Sequence, residues 1–219
     1  MTKTRVLLVD DHAIVRYGFA QLLAATTDLE VCGQAADAHQ ALEALASAPD
    51  VVIVDVSLGA TNGIDLIREI KLRAPGAAVL VVSMHDEQLY ADRALRAGAT
   101  GYVMKHEATD AIVRAIRIVA AGGIFVSEAV SMRLVQRVVA GGAPASGSPV
   151  QALSDRELHV LELMGRGLGT RAIAEQLHIS VKTVESYRAR LKEKMNLRTG
   201  TELVRFAVQW AEQQASSRR

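Results

Sequence analysis

Aspartates follow two short apolar runs of this chain. Asp10 and Asp11 come directly after residues 6–9, and Asp55 comes directly after residues 51–54. Carboxylates that crowd together repel one another unless a cation lies among them. Hard oxygen ligands with room for water suit Mg²⁺. If the two runs are neighbouring strands of one parallel sheet, the three acids meet at its carboxyl edge and predict a magnesium site.

Two further polar side chains follow later apolar runs. Ser83 ends the run 79–83, and Lys105 comes directly after the run 101–104. In open parallel sheets, ligands bind at the carboxyl ends of the strands. A cation, a hydroxyl and an ammonium around Asp55 predict phosphoryl chemistry, with Asp55 as the nucleophile and Lys105 offsetting negative charge. The alternative interpretation is that aspartates at strand ends only cap the helices that follow.

The first 121 residues alternate between strand-like and helical patterns. The strand-like runs are Arg5–Asp10, Glu30–Ala35, Val51–Asp55, Val79–Ser83 and Gly101–Met104. Apolar residues at helical spacing occupy 14–25, 40–48, 64–72, 89–97 and 111–121. Strands that are apolar on both faces predict an α/β doubly wound fold, a five-stranded parallel sheet of order 2-1-3-4-5 with helices on each side. In this order the first and third strands are neighbours.

The rest of the chain is predicted to be helical. A bridging helix over 128–139 precedes a segment rich in glycine and proline, 141–149, which cannot sustain a helix or a central strand. Four helices are then expected, at about 155–165, 170–177, 181–195 and 200–213, with Ser154 and Glu157 as a capping box. The predicted domains are 1–121, a linker over 122–149, a small all-α domain over 150–214 and a tail over 215–219.

Composition limits the classes of protein to consider. The net charge is only +1, but residues 1–121 carry 15 acidic against 11 basic residues, whereas residues 150–219 carry 12 basic against 8 acidic ones. The two parts are therefore expected to face different partners. A single cysteine excludes an internal disulfide, and the six histidines show no zinc spacing. Without a long apolar run, we expect a cytoplasmic protein with no membrane partner.

The basic part contains a pattern typical of DNA-binding helices. Two helical stretches flank a tight break at 178–180, and Ser180 can cap the second. Residues 180–195 hold five Lys or Arg against two Glu. Such a helix fits the major groove of DNA, although a short basic helix is often only a solvated surface. The side chains expected to face outward are Lys182, Thr183, Glu185, Ser186, Ala189 and Arg190.

Residues 1–121 resemble the receiver domain of two-component response regulators, which is flavodoxin-like. The resemblance is carried by Asp10-Asp11-His12, Asp55 with Gly63, Ser83, Tyr102 and Lys105. It implies that Asp55 accepts phosphate from the phosphohistidine of a sensor histidine kinase. It also implies that Asp11, Asp55 and the Ser57 carbonyl bind Mg²⁺, with Asp10 assisting through water. Ser83 and Tyr102 would form a switch pair, the hydroxyl moving to the phosphate and the ring turning inward.

Residues 150–214 resemble the LuxR-type helix-turn-helix domain, and the whole chain resembles the NarL/FixJ class of response regulators. The motif runs from Leu153-Ser-Asp-Arg-Glu157 through Lys182-Thr-Val-Glu-Ser-Tyr187 to Glu202-Leu-Val204. The resemblance implies that Lys182, Glu185 and Ser186 face bases of promoter DNA, whereas Thr183, Arg188 and Arg190 are candidates for backbone contacts. It implies a transcription factor rather than an enzyme, one that forms a homodimer on paired half-sites when activated.

Some residues depart from the family pattern or suit other interpretations. Gly59 stands where the family usually has proline and Thr61 where it often has methionine, so the loop carrying Ser57 is expected to be looser. His12 and His85 are expected to be solvated residues near the rim of the site, although they could tune phosphate lifetime.

Three other functions share single features with this sequence. A dehalogenase-type enzyme would need a second carboxylate at position 57, and a flavin binder would need a phosphate loop in place of Asp10-Asp11-His12. The stronger alternative is a DNA-binding regulator whose receiver is degenerate or gated by a ligand and works without phosphate.

Overall fold

The structure is a computed structural model that describes residues 2–59, 61–139 and 149–216. The chain divides into two compact units, Met1–Ala140 and Gly141–Arg219. The part of the predicted linker that is rich in glycine and proline, 141–149, lies outside the described residues except for Pro149, as do the last three residues of the predicted tail.

The first unit is built around a parallel sheet with the strand order β2-β1-β3-β4-β5. Its strands are β1 Thr4–Val9, β2 Leu29–Ala35, β3 Val51–Val54, β4 Ala78–Ser83 and β5 Gly101–Met104. Its helices are α1 Ala13–Ala24, α2 Ala38–Ala44, α3 Gly63–Arg73, α4 Glu87–Ala97, α5 Thr109–Ala120 and α6 Glu128–Val139. The doubly wound fold and the strand order agree with the sequence prediction.

Helices cover both faces of the sheet, which explains why the central strands β3 and β4 are apolar along almost their whole length. Successive strand residues point to opposite faces. One face packs in a single core with Leu23 of α1 and Ile116 of α5, and the buried strand residues in this core are Val6, Leu8, Leu29, Val51, Ile53, Leu80, Val82 and Val103. Helices α2, α3 and α4 pack side by side over the sheet as well. The core therefore fixes where every strand ends.

The largest difference from the predicted helix boundaries is at α2; the other helices agree within three residues at each end. The pattern over 40–48 predicts a single helix, but α2 begins at Ala38 and ends at Ala44, where a 3₁₀ turn of three residues, Leu45–Ser47, continues the chain. Asp37 explains the earlier start, because its side chain accepts a hydrogen bond from the Gln40 N–H. The α conformation is disfavoured before Pro49. Ala48 adopts a φ of 48° there, which ends the turn.

The second unit consists of four α-helices after a 3₁₀ turn at Pro149–Ala152. The helices are α7 Asp155–Gly165, α8 Thr170–Gln176, α9 Val181–Lys194 and α10 Gly200–Ser216. Ser154 and Glu157 form the predicted capping box at the start of α7. Across the described part of the chain, no helix combines the length and apolar character that a membrane span requires.

Candidate functional site

Strand pairing fixes the acidic residues at the carboxyl edge of the sheet. All four residues of β3 are buried, and the Asp55 N–H continues the ladder by donating to the Val9 carbonyl over 2.9 Å. Asp10 is held in the same way through the Ala35 carbonyl at 3.2 Å. Ligand atoms of Asp10, Asp11, His12 and Asp55 all lie within 4.8 Å of one another. The three acids that were predicted to meet therefore lie together.

Lys105 lies between two of these acids. Its Nζ donates to Asp10 Oδ2 over 2.6 Å and to Asp55 Oδ2 over 2.8 Å. Its backbone N–H donates to the Ser83 carbonyl, which extends the pairing of β4 and β5 and aims the side chain along this edge. Burial opposes the positive charge, but Asp55 and Asp10 outweigh burial and raise the pKa of Lys105 above 10.5. The ammonium therefore keeps its charge at neutral pH.

The two carboxyl oxygens of Asp55 have different surroundings. Oδ2 accepts from Lys105, whereas Oδ1 is buried and has no hydrogen-bond partner among the described residues. Burial raises the pKa of Asp55 above 3.8, and Asp10 adds to this; Lys105 and, to a smaller extent, the backbone N–H of Ser57 oppose it only in part. An unsatisfied buried acceptor costs roughly 1–3 kcal/mol. With three acids around one ammonium, the site suits an additional cation or a group that bonds to Oδ1.

Ser83 and Tyr102 are both buried and both bind the backbone of His85. Ser83 Oγ accepts from the His85 N–H over 3.2 Å, and the Tyr102 hydroxyl donates to the His85 carbonyl over 2.7 Å. Ser83 is 0% and Tyr102 only 1% exposed. The resemblance implies that the Tyr102 ring turns inward when Asp55 is phosphorylated. In this structure the ring is already buried.

His85 differs from the expectation of a solvated rim residue. It is 6% exposed, its ring packs on Tyr90 with centroids 4.7 Å apart, and its Nε2 lies 2.6 Å from Ser57 Oγ. The hydrogen bond joins the loop after β3 to the loop after β4 across the site. The only signal in the sequence is the position of His85 two residues after a hydroxyl at a strand end.

His12 lies at the rim, as expected, but belongs to the acidic cluster. Its side chain is 63% exposed, and its Nδ1 lies 2.7 Å from Asp11 Oδ1. Its backbone N–H donates to Asp10 Oδ1 over 2.8 Å. The sequence placed His12 beside the acids but did not predict either contact.

The loop that carries Ser57 is held by backbone pairing despite its glycine. Residues Ser57–Leu58 pair antiparallel with Thr61–Asn62, and Leu58 is buried. Gly59 has a φ of 56°, a left-handed conformation that proline cannot adopt because its ring fixes φ near about −65°. Glycine adopts this turn without strain, whereas the family's usual proline could not; the sequence predicted only a looser loop.

In the second unit, α8 and α9 form the predicted pair of helices. Ser180 caps α9, since its side chain accepts from the Thr183 N–H over 3.0 Å. The two helices pack through apolar residues, with Val184 and Leu191 of α9 and Ile173 of α8 fully buried. Ala174 of α8 is also buried.

The candidate DNA contacts differ in accessibility. Lys182, Glu185, Ser186 and Arg190 are exposed on α9, and their spacing places the first three on one side of the helix. Thr183 and Arg188 are half-buried, and the Thr183 hydroxyl lies 2.8 Å from the capping Ser180 hydroxyl. Arg190 has its guanidinium 5.9 Å from the centroid of the Tyr187 ring. A contiguous exposed surface therefore begins at the amino end of α9.

Two family profiles match the chain. Residues 6–117 match the response regulator receiver domain. Residues 151–207 match the bacterial regulatory proteins of the luxR family. Receiver domains bind Mg²⁺ at an acidic pocket, and the cluster around Asp55 agrees with such a pocket.

Related proteins match both units together. The oxygen regulatory protein NreC of Staphylococcus carnosus is 34% identical over 209 residues, which cover 93% of this chain and 96% of NreC. The transcriptional regulatory protein DegU of Brevibacillus brevis is 32% identical and is covered over 92% of each chain.

Solved structures give the same result. RcsB from Salmonella enterica bound to promoter rprA with the phosphomimetic BeF₃⁻ has a TM-score of 0.67 at 26% identity, with 94% of this chain and 98% of RcsB covered. ChrA, the response regulator in a heme-sensing two-component system, is 30% identical with a TM-score of 0.52, over 98% of this chain and 99% of ChrA. This chain belongs to the two-component response regulators of the NarL/FixJ class, transcription factors that join a receiver domain to a LuxR-type DNA-binding domain.

Proposed function

We propose that Asp55 accepts a phosphoryl group from a sensor histidine kinase and that this modification controls binding of promoter DNA. The observation that carries the proposal is the unlike pair of oxygens on Asp55. Lys105 holds Oδ2, whereas the buried Oδ1 keeps its lone pairs without a partner among the described residues. A fixed, poorly solvated carboxylate oxygen next to a permanent cation is a suitable phosphoryl acceptor.

The transfer exchanges one bond to phosphorus for another. Asp55 attacks the phosphorus of phosphohistidine, the P–N bond breaks, and the imidazole of the kinase leaves as an acyl phosphate forms. Lys105 supplies one positive charge beside the new phosphoryl oxygens and needs no proton transfer to do so. Ser83 can donate its hydroxyl to one of those oxygens, because it is the next polar side chain along the same sheet edge.

Mg²⁺ fits the donors of this site. Asp10, Asp11 and Asp55 provide hard oxygen ligands, and with the Ser57 carbonyl we propose them as the residues that hold the ion. Three carboxylates beside a single ammonium leave negative charge that a divalent cation balances. When bound, the ion would offset charge on the phosphoryl oxygens during transfer.

We further propose that α9 reads the major groove of double-stranded promoter DNA. Lys182, Glu185 and Ser186 are exposed near its amino end and would face base edges. Arg190 and the half-buried Thr183 and Arg188 would contact the phosphate backbone. A homodimer would place two such helices on paired half-sites. The domain limits predicted from the sequence, 1–121 for the receiver and 150–214 for the DNA-binding domain, remain part of this proposal.

The proposal is tested with Asp55→Asn, which keeps the shape of the side chain and removes the nucleophilic carboxylate. Wild-type protein incubated with acetyl phosphate and Mg²⁺ should acquire a phosphoryl group that base and hydroxylamine release, as expected of an acyl phosphate, and should bind its operator more tightly, whereas Asp55→Asn should do neither. Asp65→Asn, on the exposed side of α3, serves as the matched control and should label as the wild type does. Equal labelling of Asp55→Asn would contradict the assignment of the acceptor.

The same experiment distinguishes the proposed function from the alternative one. A regulator whose receiver works without phosphate would bind operator DNA fully while taking up no label. The inward Tyr102 ring is the observation that favours this alternative, because the expected consequence of phosphorylation is present without it.

A further inference from the structure

The segment before α6 extends the sheet at its outer edge. The Tyr102 N–H donates to the Phe125 carbonyl over 2.8 Å, and the Phe125 N–H donates to the Thr100 carbonyl over 3.0 Å. Gly101 and Phe125 thereby form a parallel bridge. The Arg114 guanidinium lies 5.9 Å from the centroid of the Phe125 ring. Because β5 is the last strand of the sheet, this pairing covers backbone groups that would otherwise be open.

The start of α6 is fastened to the first turn of α4. Ser127 Oγ donates to Glu87 Oε1 over 2.7 Å, and Arg133 Nη1 donates to the Gln88 carbonyl over 2.9 Å. The Ser127 hydroxyl also accepts from the Val130 N–H over 3.2 Å, so it caps α6 while it holds α4. Val130 is 1% exposed, which makes this contact a packed one.

The first turn of α4 directly follows the loop that contacts Ser83. His85 has its N–H bound to Ser83 and its carbonyl bound to Tyr102, and Asp86 caps α4 through the Gln88 N–H. Tyr102 connects the segment before α6 to the loop before α4, because its N–H donates to the Phe125 carbonyl and its hydroxyl donates to the His85 carbonyl. Three residues, 84–86, therefore separate the Ser83 hydroxyl from the helical turn that holds α6.

We infer that residues 124–133 form a strap whose hold on α4 is set by the Ser83 hydroxyl. The inference rests on the proposed phosphoryl transfer. When Ser83 turns to donate to a phosphoryl group on Asp55, the His85 N–H loses its acceptor, and the loop with the first turn of α4 shifts. The hydrogen bonds from Ser127 and Arg133 are then weakened, whereas the backbone pairing of Phe125 with β5 remains. The strap thus carries the state of Asp55 into α6, the last described element of the first unit.

Amide hydrogen exchange of the full-length protein tests the coupling, with beryllofluoride and Mg²⁺ as the phosphoryl mimic. Amides of residues 128–133 should exchange about five-fold faster with the mimic, the factor expected when one ordinary hydrogen bond is lost. Amides paired between Phe125 and β5 should be unchanged. Asp55→Asn should show no response. Unchanged or slower exchange over 128–133 in a wild-type protein that labels at Asp55 would overturn the coupling and leave the proposed function standing.

A substitution tests the fastening independently of phosphorylation. Glu87→Ala removes the acceptor of Ser127 and leaves the cap of α6 in place, so it should speed exchange over 128–133 about five-fold without the mimic. Glu69→Ala, an exposed glutamate on α3 that pairs with Arg73, is the matched control and should leave these amides unchanged. Wild-type exchange in Glu87→Ala would overturn the strap. Failure of the wild type to label would overturn the proposed function and the coupling. The result for Glu87→Ala would still show whether the Ser127–Glu87 hydrogen bond holds the start of α6 against α4.

Discussion

At the scale of single residues, Gly63 is the most constrained neighbour of the phosphoacceptor candidate. A Cβ at this position would lie 2.4 Å from the Asp55 carbonyl oxygen and 2.7 Å from Val56 Cα. The Gly63 N–H donates to the Val56 carbonyl over 2.9 Å, which holds the start of α3 against the end of β3. A side chain here would displace the backbone that carries Asp55.

Gly63→Ala should therefore lower the free energy of unfolding by roughly 1–3 kcal/mol, the usual cost of forcing atoms into a packed region. Urea unfolding followed by circular dichroism measures the change. Gly76→Ala is the matched control, because a Cβ there meets nothing within 4 Å and its backbone lies outside the left-handed region. Equal stability of the two variants would show that the backbone yields at little cost.

At the scale of elements, an ion pair ties α7 to the carboxyl end of α9. Glu157 is 3% exposed, and its Oε2 accepts from Lys194 Nζ over 2.7 Å and from the Ser154 N–H over 2.8 Å. Burial opposes ionisation, but these hydrogen bonds outweigh it and hold the pKa of Glu157 below 4.5. One carboxylate thus caps α7 and anchors the carboxyl end of α9.

The lowered pKa gives the second unit a defined response to pH. Because the folded pKa lies below the unfolded value near 4.5, Glu157 stabilises the fold above that pH, and the contribution is lost as pH falls through the folded pKa. Glu157→Gln should cost about 1–2 kcal/mol at neutral pH and flatten the loss of stability in acid. Fluorescence of Trp210, the single tryptophan, reports unfolding of this unit. If the free energy of unfolding of the variant falls as steeply in acid as that of the wild type, groups other than Glu157 cause the loss.

The exposed end of α9 leads to a prediction for DNA binding. Lys182→Ala should weaken specific binding by about 1–3 kcal/mol, roughly 5- to 150-fold in Kd, if Lys182 contacts a base edge. Duplexes selected by the wild-type protein from a random pool provide the specific DNA, and Lys3→Ala in the first unit is the matched control. The slope of log Kd against log salt should stay as in the wild type. A slope reduced by about 0.9 would instead assign Lys182 to a phosphate.

At the scale of the whole molecule, the chain combines two compact units, each with its own core, and their net charges have opposite signs. Residues 1–121 hold 15 acidic and 11 basic residues, whereas residues 150–219 hold 8 acidic and 12 basic ones. The basic unit attracts DNA and the acidic unit is repelled by it, so the two contribute with opposite sign to non-specific binding. Specificity and regulation can therefore be altered in one unit without changing the core of the other.

Separate cores predict separate unfolding. Leu203→Ala in α10 and Ile70→Ala in α3 each truncate a side chain that is 0% exposed, and each should cost about 2–5 kcal/mol within its own unit. Leu203→Ala should move the Trp210 fluorescence transition and leave exchange of the strand amides unchanged, and Ile70→Ala should do the reverse. A single transition that moves with both substitutions would show that the units unfold together.

The sequence determined much of this protein because its signals are local. Apolar runs that end in Asp10, Asp55 and Ser83 predicted both the strands and the edge at which their polar groups meet, since the carboxyl ends of parallel strands share one edge. Ser154 and Ser180 predicted the starts of their helices because capping depends on residues only three apart. The roles of the site residues and the domain limits stay predictions.

Only the tertiary structure decided the contacts between segments far apart in the chain. Four features have no periodic signal: the burial of His85 against Ser57 and Tyr90, the left-handed turn at Gly59, the approach of Gly63 to Asp55, and the contacts of residues 124–133 with β5 and α4. Helical and strand periodicity records which face of an element is buried, but not which partner covers that face. Packing of the whole fold selects the partner, and at this site it sets the surroundings of the phosphoacceptor candidate.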